Sequence, residues 1–188
     1  MKGESGPFCF NFANFLILKR IKQALGLDEA KMFCFGAAPL KQSSIDYFAS
    51  LDIPLFNYYG LSETTGGIVG NNVTRFNLNA AGYPLPGMDV KIDNPNEEQI
   101  GEICIKGRLV MLGYYKNEDA TREIIDPKGY FHSGDLGKID EQGFLRITGR
   151  IKELIITAGG ENVAPIIIED TIKLTCPYIN NVMVIGEN

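Results

Sequence analysis

Apolar positions in the first third of the chain alternate between helical spacing and short strand-like runs. Leu18, Ile21 and Leu25 lie at i, i+3 and i+7, the spacing of one helical face. A second helical pattern, over residues 42–51, lies between two apolar runs. The predicted elements are a helix over residues 12–25, a strand over 31–35, a helix over 42–51 and a strand over 54–58. A strand, a helix and a strand in this order predict a parallel α/β unit.

The pattern changes at Gly82, where short apolar runs are punctuated by Gly, Pro and Asn. Strands are predicted over residues 90–92, 101–106 and 144–148, and one helix over 118–125. Asn117 can serve as the N-cap of that helix. This pattern of short strands and turn residues predicts a small, mostly antiparallel β-barrel or sandwich.

A third pattern begins at Lys152. It predicts a strand over 154–156, a helix over 165–175 and a strand over 182–185. We expect a truncated start of an α+β C-terminal lobe, because a lobe that has just begun cannot bury its own core. The predicted fold class is α/β: a parallel α/β unit, a β-barrel-like region and this partial lobe. The predicted domain boundaries are 1–81, 82–151 and 152–188.

Composition and charge exclude several classes of protein. The net charge is -5, and the Lys and Arg residues are scattered, which argues against nucleic-acid binding. The cysteines are far apart and His132 is the only histidine, so their spacing predicts neither a zinc site nor a disulfide framework. The apolar run over 8–18 is too short to span a membrane and lacks a signal-peptide cleavage site.

The segment Gly36-Ala37-Ala38-Pro39 directly follows a predicted strand. Loops at strand ends of parallel sheets are common ligand sites, and small side chains would let a flat ring approach the backbone. By itself, however, the segment is more typical of a tight turn with proline in the first turn of a helix.

The second strand-end segment, residues 58–67, reads YYGLSETTGG. It places aromatic rings, glycines, hydroxyls and the Glu63 carboxylate within ten residues. These groups suit a purine ring, a phosphate and a metal ion. Loops rich in Gly, Ser and Thr are also common without a ligand.

A predicted hairpin brings two charged residues together. Residues 140–143, Asp-Glu-Gln-Gly, form a strong turn signal, and folding the chain there places Asp135 opposite about Thr148 and Arg150 near Ser133. Asp135 and Arg150 should therefore meet at one end of the hairpin. The pair is either a surface salt bridge or a clamp for the two hydroxyls of a ribose.

Four ordered motifs carry a family resemblance: YGLSE at 59–63, YFHSGD at 130–135, GRIK at 149–152 and ELIITAGGENV at 153–163. Together with GAAPL at 36–40, they resemble the adenylate-forming (AMP-binding) superfamily of acyl-CoA synthetases, adenylation domains and luciferases. The last motif is most similar to the bubblegum-type branch of long-chain acyl-CoA synthetases. Residues 1–81 would then be the C-terminal part of the nucleotide-binding α/β subdomain.

The resemblance implies a role for each matching residue, with ATP or AMP as the nucleotide. Ser133 and Ser62 both stand where many members have Thr. The implied nucleotide contacts are adenine for Tyr59 and Tyr130, ribose for Asp135 and Arg150, and the nucleotide and acyl pocket for Gly36, Ala37 and Ala38. Gly60 is also implied to bind the nucleotide.

The resemblance also implies a catalytic set. Glu63 would hold the Mg²⁺ ion that bridges the ATP phosphates, and Ser62 would donate to the α-phosphate. Lys152 falls at the hinge between the large and small lobes, although a solvated lysine explains it equally well. Gly159 and Gly160 would begin the loop that approaches the pantetheine arm of coenzyme A.

The implied activity is that of a fatty-acid:CoA ligase, with fatty acid, ATP and coenzyme A as its partners. Neither a phosphate loop ending in Pro-Lys-Gly nor the small lobe's Gly-Lys pair occurs, so we expect an internal fragment that is inactive alone. The alternatives are an adenylating enzyme for another carboxylate, a non-catalytic nucleotide-binding module, or a scaffold without a ligand. We expect a cytoplasmic protein, or one on the cytosolic side of a membrane that it contacts only through regions outside this chain.

Overall fold

The computed structural model describes residues 12, 14–38, 40–157, 162–176 and 178–186. A π-helical turn, Asn14–Leu18, leads directly into α1 (Lys19–Ala24), and the later helices are α2 (Gln42–Ser50), α3 (Glu118–Ile124) and α4 (Pro165–Thr175). The strands are β1 (Phe33–Gly36), β2 (Leu55–Leu61), β3 (Gly66–Gly70), β4 (Tyr83–Pro84), β5 (Met88–Asp93), β6 (Gly101–Gly107), β7 (Phe131–Ile139), β8 (Leu145–Arg150), β9 (Ile155–Ile156) and β10 (Asn162–Val163). None of the described helices is long and apolar enough to cross a membrane.

The first sheet has the strand order β1-β2-β3-β4. Strands β1 and β2 are parallel and are connected through α2, which confirms the predicted α/β unit. Ile45, within α2, is buried. Strand β2 runs on through Leu61 and pairs antiparallel with β3, so the segment predicted as one loop is a hairpin closed by a short 3₁₀ turn.

The second sheet is antiparallel, with the strand order β5-β6-β7-β8. Alternating residues bury one face, as expected for an antiparallel sheet with one face on the core. The fully buried members include Ile103, Ile105 and Leu145. The antiparallel prediction is confirmed, and among the described residues the four strands pair in a line rather than around a closed barrel.

The hairpin between β7 and β8 has the predicted turn but a different register. Gly143 has φ +84°, and its N–H donates to the Asp140 carbonyl at 2.7 Å. The expected pairing of Asp135 with Thr148 is wrong, because Asp135 lies directly opposite Arg150. Two offsets of one residue add up to this difference. The pairing next to the turn, Ile139 with Leu145, is already one residue out of the expected register, and a shift between Leu136 and Gly137 adds the second.

One core joins the two sheets. Ile68 and Val69 of β3 pack in the same cluster as Ile103 and Ile105 of β6. At the junction, the Leu145 N–H donates to the Gly82 carbonyl at 2.8 Å. A Cβ at Gly82 would lie 2.1 Å from the Gly70 carbonyl carbon, so only glycine permits this close approach.

The C-terminal part is confirmed at α4 and corrected beyond it. The helix spans Pro165–Thr175 as predicted, with proline in its first turn. The strand predicted over 182–185 is not formed. The Val184 N–H instead donates to the Glu169 carboxylate of α4 at 2.9 Å, so a side chain replaces the strand partner that a ladder would require.

Candidate functional site

A cavity of about 330 Å³ lies where the two sheets meet. This volume is at the lower end of the range for small-molecule sites. Its walls come from the ends of β1 and β2, the segment before β4, strand β8 and the first turns of α4. The lining residues are Ala37, Ala38, Asn57, Tyr58, Tyr59, Gly60, Leu61, Asn79, Ala80, Ala81, Asp135, Arg146, Ile147, Thr148, Gly149, Arg150, Ile166 and Asp170.

Asp135 is the charged residue held most firmly in this wall. It is 5% exposed, and its two carboxylate oxygens accept from different sides. Oδ2 accepts from the Tyr59 hydroxyl at 2.7 Å, and Oδ1 accepts from Arg150 Nε at 3.1 Å. An ionised carboxylate offers about four lone-pair positions, so Asp135 can still accept two hydrogen bonds from a ligand.

Tyr59 ties the first sheet to the second through this bond. Its side chain is buried, and burial raises the pKa of its phenol well above the usual value, with the nearby Asp135 charge adding to the effect. The phenol therefore remains protonated and donates to the carboxylate. Arg150 has a side chain that is 61% exposed, so its guanidinium can reach both Asp135 and a ligand in the cavity.

Thr148 supplies an unusual polar atom in the same wall. Its Oγ1 is buried and has no hydrogen-bond partner among the described residues. A buried hydroxyl without a partner costs free energy, about 1–3 kcal/mol. Unpartnered buried hydroxyls are uncommon in folded proteins, so this one is a distinctive feature of the strand that lines the cavity.

Backbone geometry explains the glycines and alanines at the strand ends. A Cβ at Gly60 would lie 1.8 Å from the Gly66 carbonyl oxygen, and one at Gly36 would lie 2.6 Å from the Tyr58 carbonyl oxygen. Glycine is thus required where β1, β2 and β3 approach one another. Ala37 has φ +66°, a strained conformation for a residue with a Cβ, and such strain is frequent at binding sites.

Glu63 lies in the 3₁₀ turn Ser62–Thr64, just beyond Leu61, and does not line the cavity. Its Oε1 accepts from the Tyr114 hydroxyl at 2.8 Å, and this bond raises the pKa of Tyr114. The buried Thr64 hydroxyl fixes the turn, because it accepts from the Leu61 N–H at 2.9 Å. Ser62 is exposed at the start of the same turn.

Several predicted site residues are not brought into the cavity wall. Tyr130 lies elsewhere on the second sheet, where its hydroxyl donates to Asp89 and Lys91 Nζ lies 4.7 Å from its ring centroid. Lys152 is exposed in the 3₁₀ turn after β8. Gly159 and Gly160 lie outside the described residues.

Sequence reasoning missed other lining residues. Arg146 and Thr148 alternate with Arg150 along β8, and this period of two could have placed all three on one strand face. Arg146 is oriented by Asp140, whose Oδ2 accepts from its Nε at 3.1 Å. Residues 79–81 carry no local signal, because only the pairing of Gly82 with Leu145 brings them to the cavity.

Comparison with known proteins places this geometry in a family. Residues 11–115, more than half of the chain, match the family described as AMP-binding enzyme. The chain is 46% identical over 188 residues to the long-chain-fatty-acid–CoA ligase ACSBG2 of Gallus gallus, covering 100% of this chain and 25% of that protein. It is 45% identical over 181 residues to ACSBG1 of Homo sapiens, covering 96% of this chain and 25% of that ligase. The chain thus spans about a quarter of the length of these relatives.

Solved structures agree with this placement. The o-succinylbenzoate CoA synthetase of Bacillus subtilis, in complex with an acyl-adenylate, matches with a TM-score of 0.73 and 31% identity. That match covers 84% of this chain and 33% of the synthetase. The same enzyme in complex with ATP and magnesium matches with a TM-score of 0.71 and 29% identity, over 90% of this chain and 38% of that one. The chain belongs to the AMP-binding enzyme family.

Proposed function

We propose that this chain provides the ribose- and adenine-binding half of the nucleotide site in an ATP-dependent long-chain fatty-acid–CoA ligase. The observation that carries the proposal is the Asp135 carboxylate, held by Tyr59 and Arg150 in a cavity wall that also contains the unpartnered Thr148 hydroxyl. The two remaining acceptor positions of the carboxylate match the two hydroxyls of a ribose.

The remaining residues take roles around this clamp. Tyr59 and Gly60 line the adenine side, and Ala37 and Ala38, with Gly36 behind them, line the path of the nucleotide and acyl group. The Arg150 guanidinium donates to the ribose or to the adjoining ester oxygen, since a charged donor forms strong hydrogen bonds there.

In the proposed reaction, the fatty-acid carboxylate attacks the α-phosphorus of ATP, and pyrophosphate leaves. The coenzyme A thiol then attacks the acyl carbonyl, and AMP leaves.

Glu63 would hold Mg²⁺, which neutralises phosphate charge, once its carboxylate shares or gives up the Tyr114 hydroxyl. Ser62 donates to the α-phosphate, and the exposed Lys152 lies where the two lobes would hinge. Gly159 and Gly160 remain assigned to the coenzyme A side by resemblance alone.

The long-chain assignment is supported by relatedness. Identity to the long-chain ligases is 46%, compared with 31% to the o-succinylbenzoate synthetase. An adenylating enzyme for another carboxylate therefore ranks second. A non-catalytic nucleotide-binding module predicts the same clamp but no turnover in the full-length protein.

The test is the melting temperature of the chain with and without a non-hydrolysable long-chain acyl-adenylate mimic. At about 100 times the dissociation constant, binding adds about 2.7 kcal/mol. For a domain of this size we expect a rise of about 5–10 °C.

Asp135→Asn should abolish that rise, because the amide both loses the charge and replaces one acceptor with a donor. The matched control is Asp119→Asn, since that side chain is 94% exposed on α3 and is not among the residues that line the cavity. An equal rise in wild type and Asp135→Asn would overturn the proposal. A larger rise with an aromatic acyl-adenylate than with the long-chain mimic would favour the second candidate.

A further inference from the structure

A second cluster of reactive side chains lies on the antiparallel sheet, on the face opposite its apolar core. Lys91, Cys104 and His132 are direct cross-strand neighbours on β5, β6 and β7. Asp93 and Glu102 form the next pair along the same face, because residues two apart in a strand share a face. None of these five residues lines the cavity of the proposed nucleotide site.

The distances within this cluster suit the coordination of a metal ion. His132 Nδ1 lies 3.4 Å from Cys104 Sγ. Its 2.7 Å hydrogen bond to Glu102 Oε2 would have to open to about 3.3 Å around a shared ion. One ligand atom each from Asp93, Cys104 and His132 lies within 4.8 Å of the others. In tetrahedral zinc coordination, with bonds of about 2.0 Å to nitrogen and 2.3 Å to sulfur, the nitrogen and sulfur are about 3.5 Å apart. The observed spacing of Cys104 and His132 is already close to that value.

The charge around the cluster also favours a cation. Asp93, Glu102 and Asp126 contribute three carboxylates, against the single ammonium of Lys91. A divalent ion would balance the surplus charge and exchange with the thiol proton, as zinc does at cysteine ligands.

We propose that Cys104, His132, Asp93 and Glu102 form a binding site for a divalent transition-metal ion of the zinc class. One sulfur, one imidazole nitrogen and two carboxylates are ligands that zinc and cobalt accept in tetrahedral geometry. The fold assembles this set from three strands, which explains why the sequence spacing predicted no zinc site.

The bound ion would stabilise the strand that carries the ribose clamp. Glu102 Oε1 accepts from the Gly134 N–H at 2.9 Å, and Gly134 directly precedes Asp135. Ser133 Oγ donates to the Ile103 carbonyl at 2.7 Å and accepts from the Asp135 N–H at 3.1 Å. A metal ion that fixes Glu102 and His132 thus fixes both sides of this irregular stretch of β7, independently of nucleotide.

The test is a cobalt(II) titration of the 188-residue chain, without nucleotide, followed by its absorption spectrum. We expect one equivalent to bind and to give a thiolate-to-cobalt charge-transfer band with the visible bands of a tetrahedral site. Zinc should displace the cobalt and raise the melting temperature. Cys104→Ser should remove the charge-transfer band, and His132→Gln should weaken binding about tenfold or more while the band remains at saturation.

The matched controls are Cys34→Ser and Cys176→Ser, because both of these thiols are exposed. Neither substitution should change the spectrum. Lys91→Met should tighten binding, since the ammonium lies 2.8 Å from Asp93 Oδ1 and competes with the ion. Absence of a charge-transfer band, or its loss in a control variant rather than in Cys104→Ser, would overturn the proposal.

Discussion

The two sheets of this protein are packed in different ways. The second sheet buries large alternating side chains, such as Ile103 and Ile105, on one face. The first sheet depends on glycine, because the Gly60 backbone packs directly on Gly66 and the Tyr58 ring covers Gly70. The cavity lies where these two kinds of packing meet. The first sheet supplies close backbone approach, the second supplies charge, and neither holds a complete site alone.

Helix α1 and the second sheet also differ in how much apolar surface they expose to water. Helix α1 and the turn before it have no buried residue, and Phe15 and Ile17 are 73% and 56% exposed. Ile103 and Leu145 of the second sheet are 0% and 1% exposed. We therefore expect the energy of folding to be concentrated in the second sheet and its junction with β2 and β3.

The largest predicted effect tests this concentration directly. Ile103→Ala should destabilise the chain by about 3–4 kcal/mol, because it removes apolar contacts and leaves a cavity in a close-packed core. Ile17→Ala removes the same atoms from an exposed helical position and should change stability by less than about 0.5 kcal/mol. Urea unfolding followed by circular dichroism measures both values, and similar losses in the two variants would contradict the comparison.

The next effect tests the dependence of the first sheet on glycine. Gly60→Ala should cost about 3 kcal/mol, since its Cβ would lie 1.8 Å from a backbone oxygen that cannot move without opening the β2–β3 hairpin. Gly149→Ala is the control, because its Cβ would meet only Ala164 Cβ at 3.6 Å, an ordinary contact. The midpoints of urea unfolding distinguish the two, and equal midpoints would mean that the hairpin tolerates a side chain.

A smaller effect tests the bond that joins the two sheets. Tyr59→Phe keeps the ring but removes the hydroxyl that donates to Asp135, so it should cost about 1–2 kcal/mol. Tyr115→Phe, at a side chain that is 87% exposed, should cost almost nothing. The difference is measured by thermal unfolding at neutral pH.

The pH dependence of Tyr59 adds a second readout. Burial raises the pKa of its phenol in the folded state, so the folded protein holds this proton more tightly than the unfolded chain. Its contribution is complete below the usual tyrosine pKa of about 10 and declines as the pH rises above that value. The free energy of unfolding of Tyr59→Phe should therefore fall less than that of wild type between pH 9 and pH 11. The difference corresponds to the one proton that the folded wild type keeps and the unfolded chain releases.

Local signals predicted the elements that local interactions determine. Asn117 caps α3 by accepting from the Ala120 N–H at 3.2 Å, and Gly143 takes the left-handed conformation that its turn requires. The meeting of Asp135 with Arg150 also followed from the turn. The exact register did not, because the turn motif does not encode the register shift between Leu136 and Gly137.

Local sequence signals could not identify residues that only the tertiary structure brings together. Thr148 is identifiable as an unpartnered buried hydroxyl only when its surroundings are known. The pairing of Cys104 with His132 depends on the registers of three strands. Tyr130 was assigned to adenine by resemblance, whereas its hydroxyl in this structure is directed to Asp89.

Binding of the two ribose hydroxyls by Asp135 can be measured by isothermal titration calorimetry with AMP and 2′,3′-dideoxy-AMP. Hydrogen bonds to a charged group contribute about 1.5–3 kcal/mol, so loss of the hydroxyls should weaken binding to the wild-type chain by about tenfold or more. In Asp135→Asn the two ligands should bind with nearly equal, weak affinity, because the clamp is already lost. Equal affinity of AMP and its dideoxy form for the wild-type chain would contradict the claim.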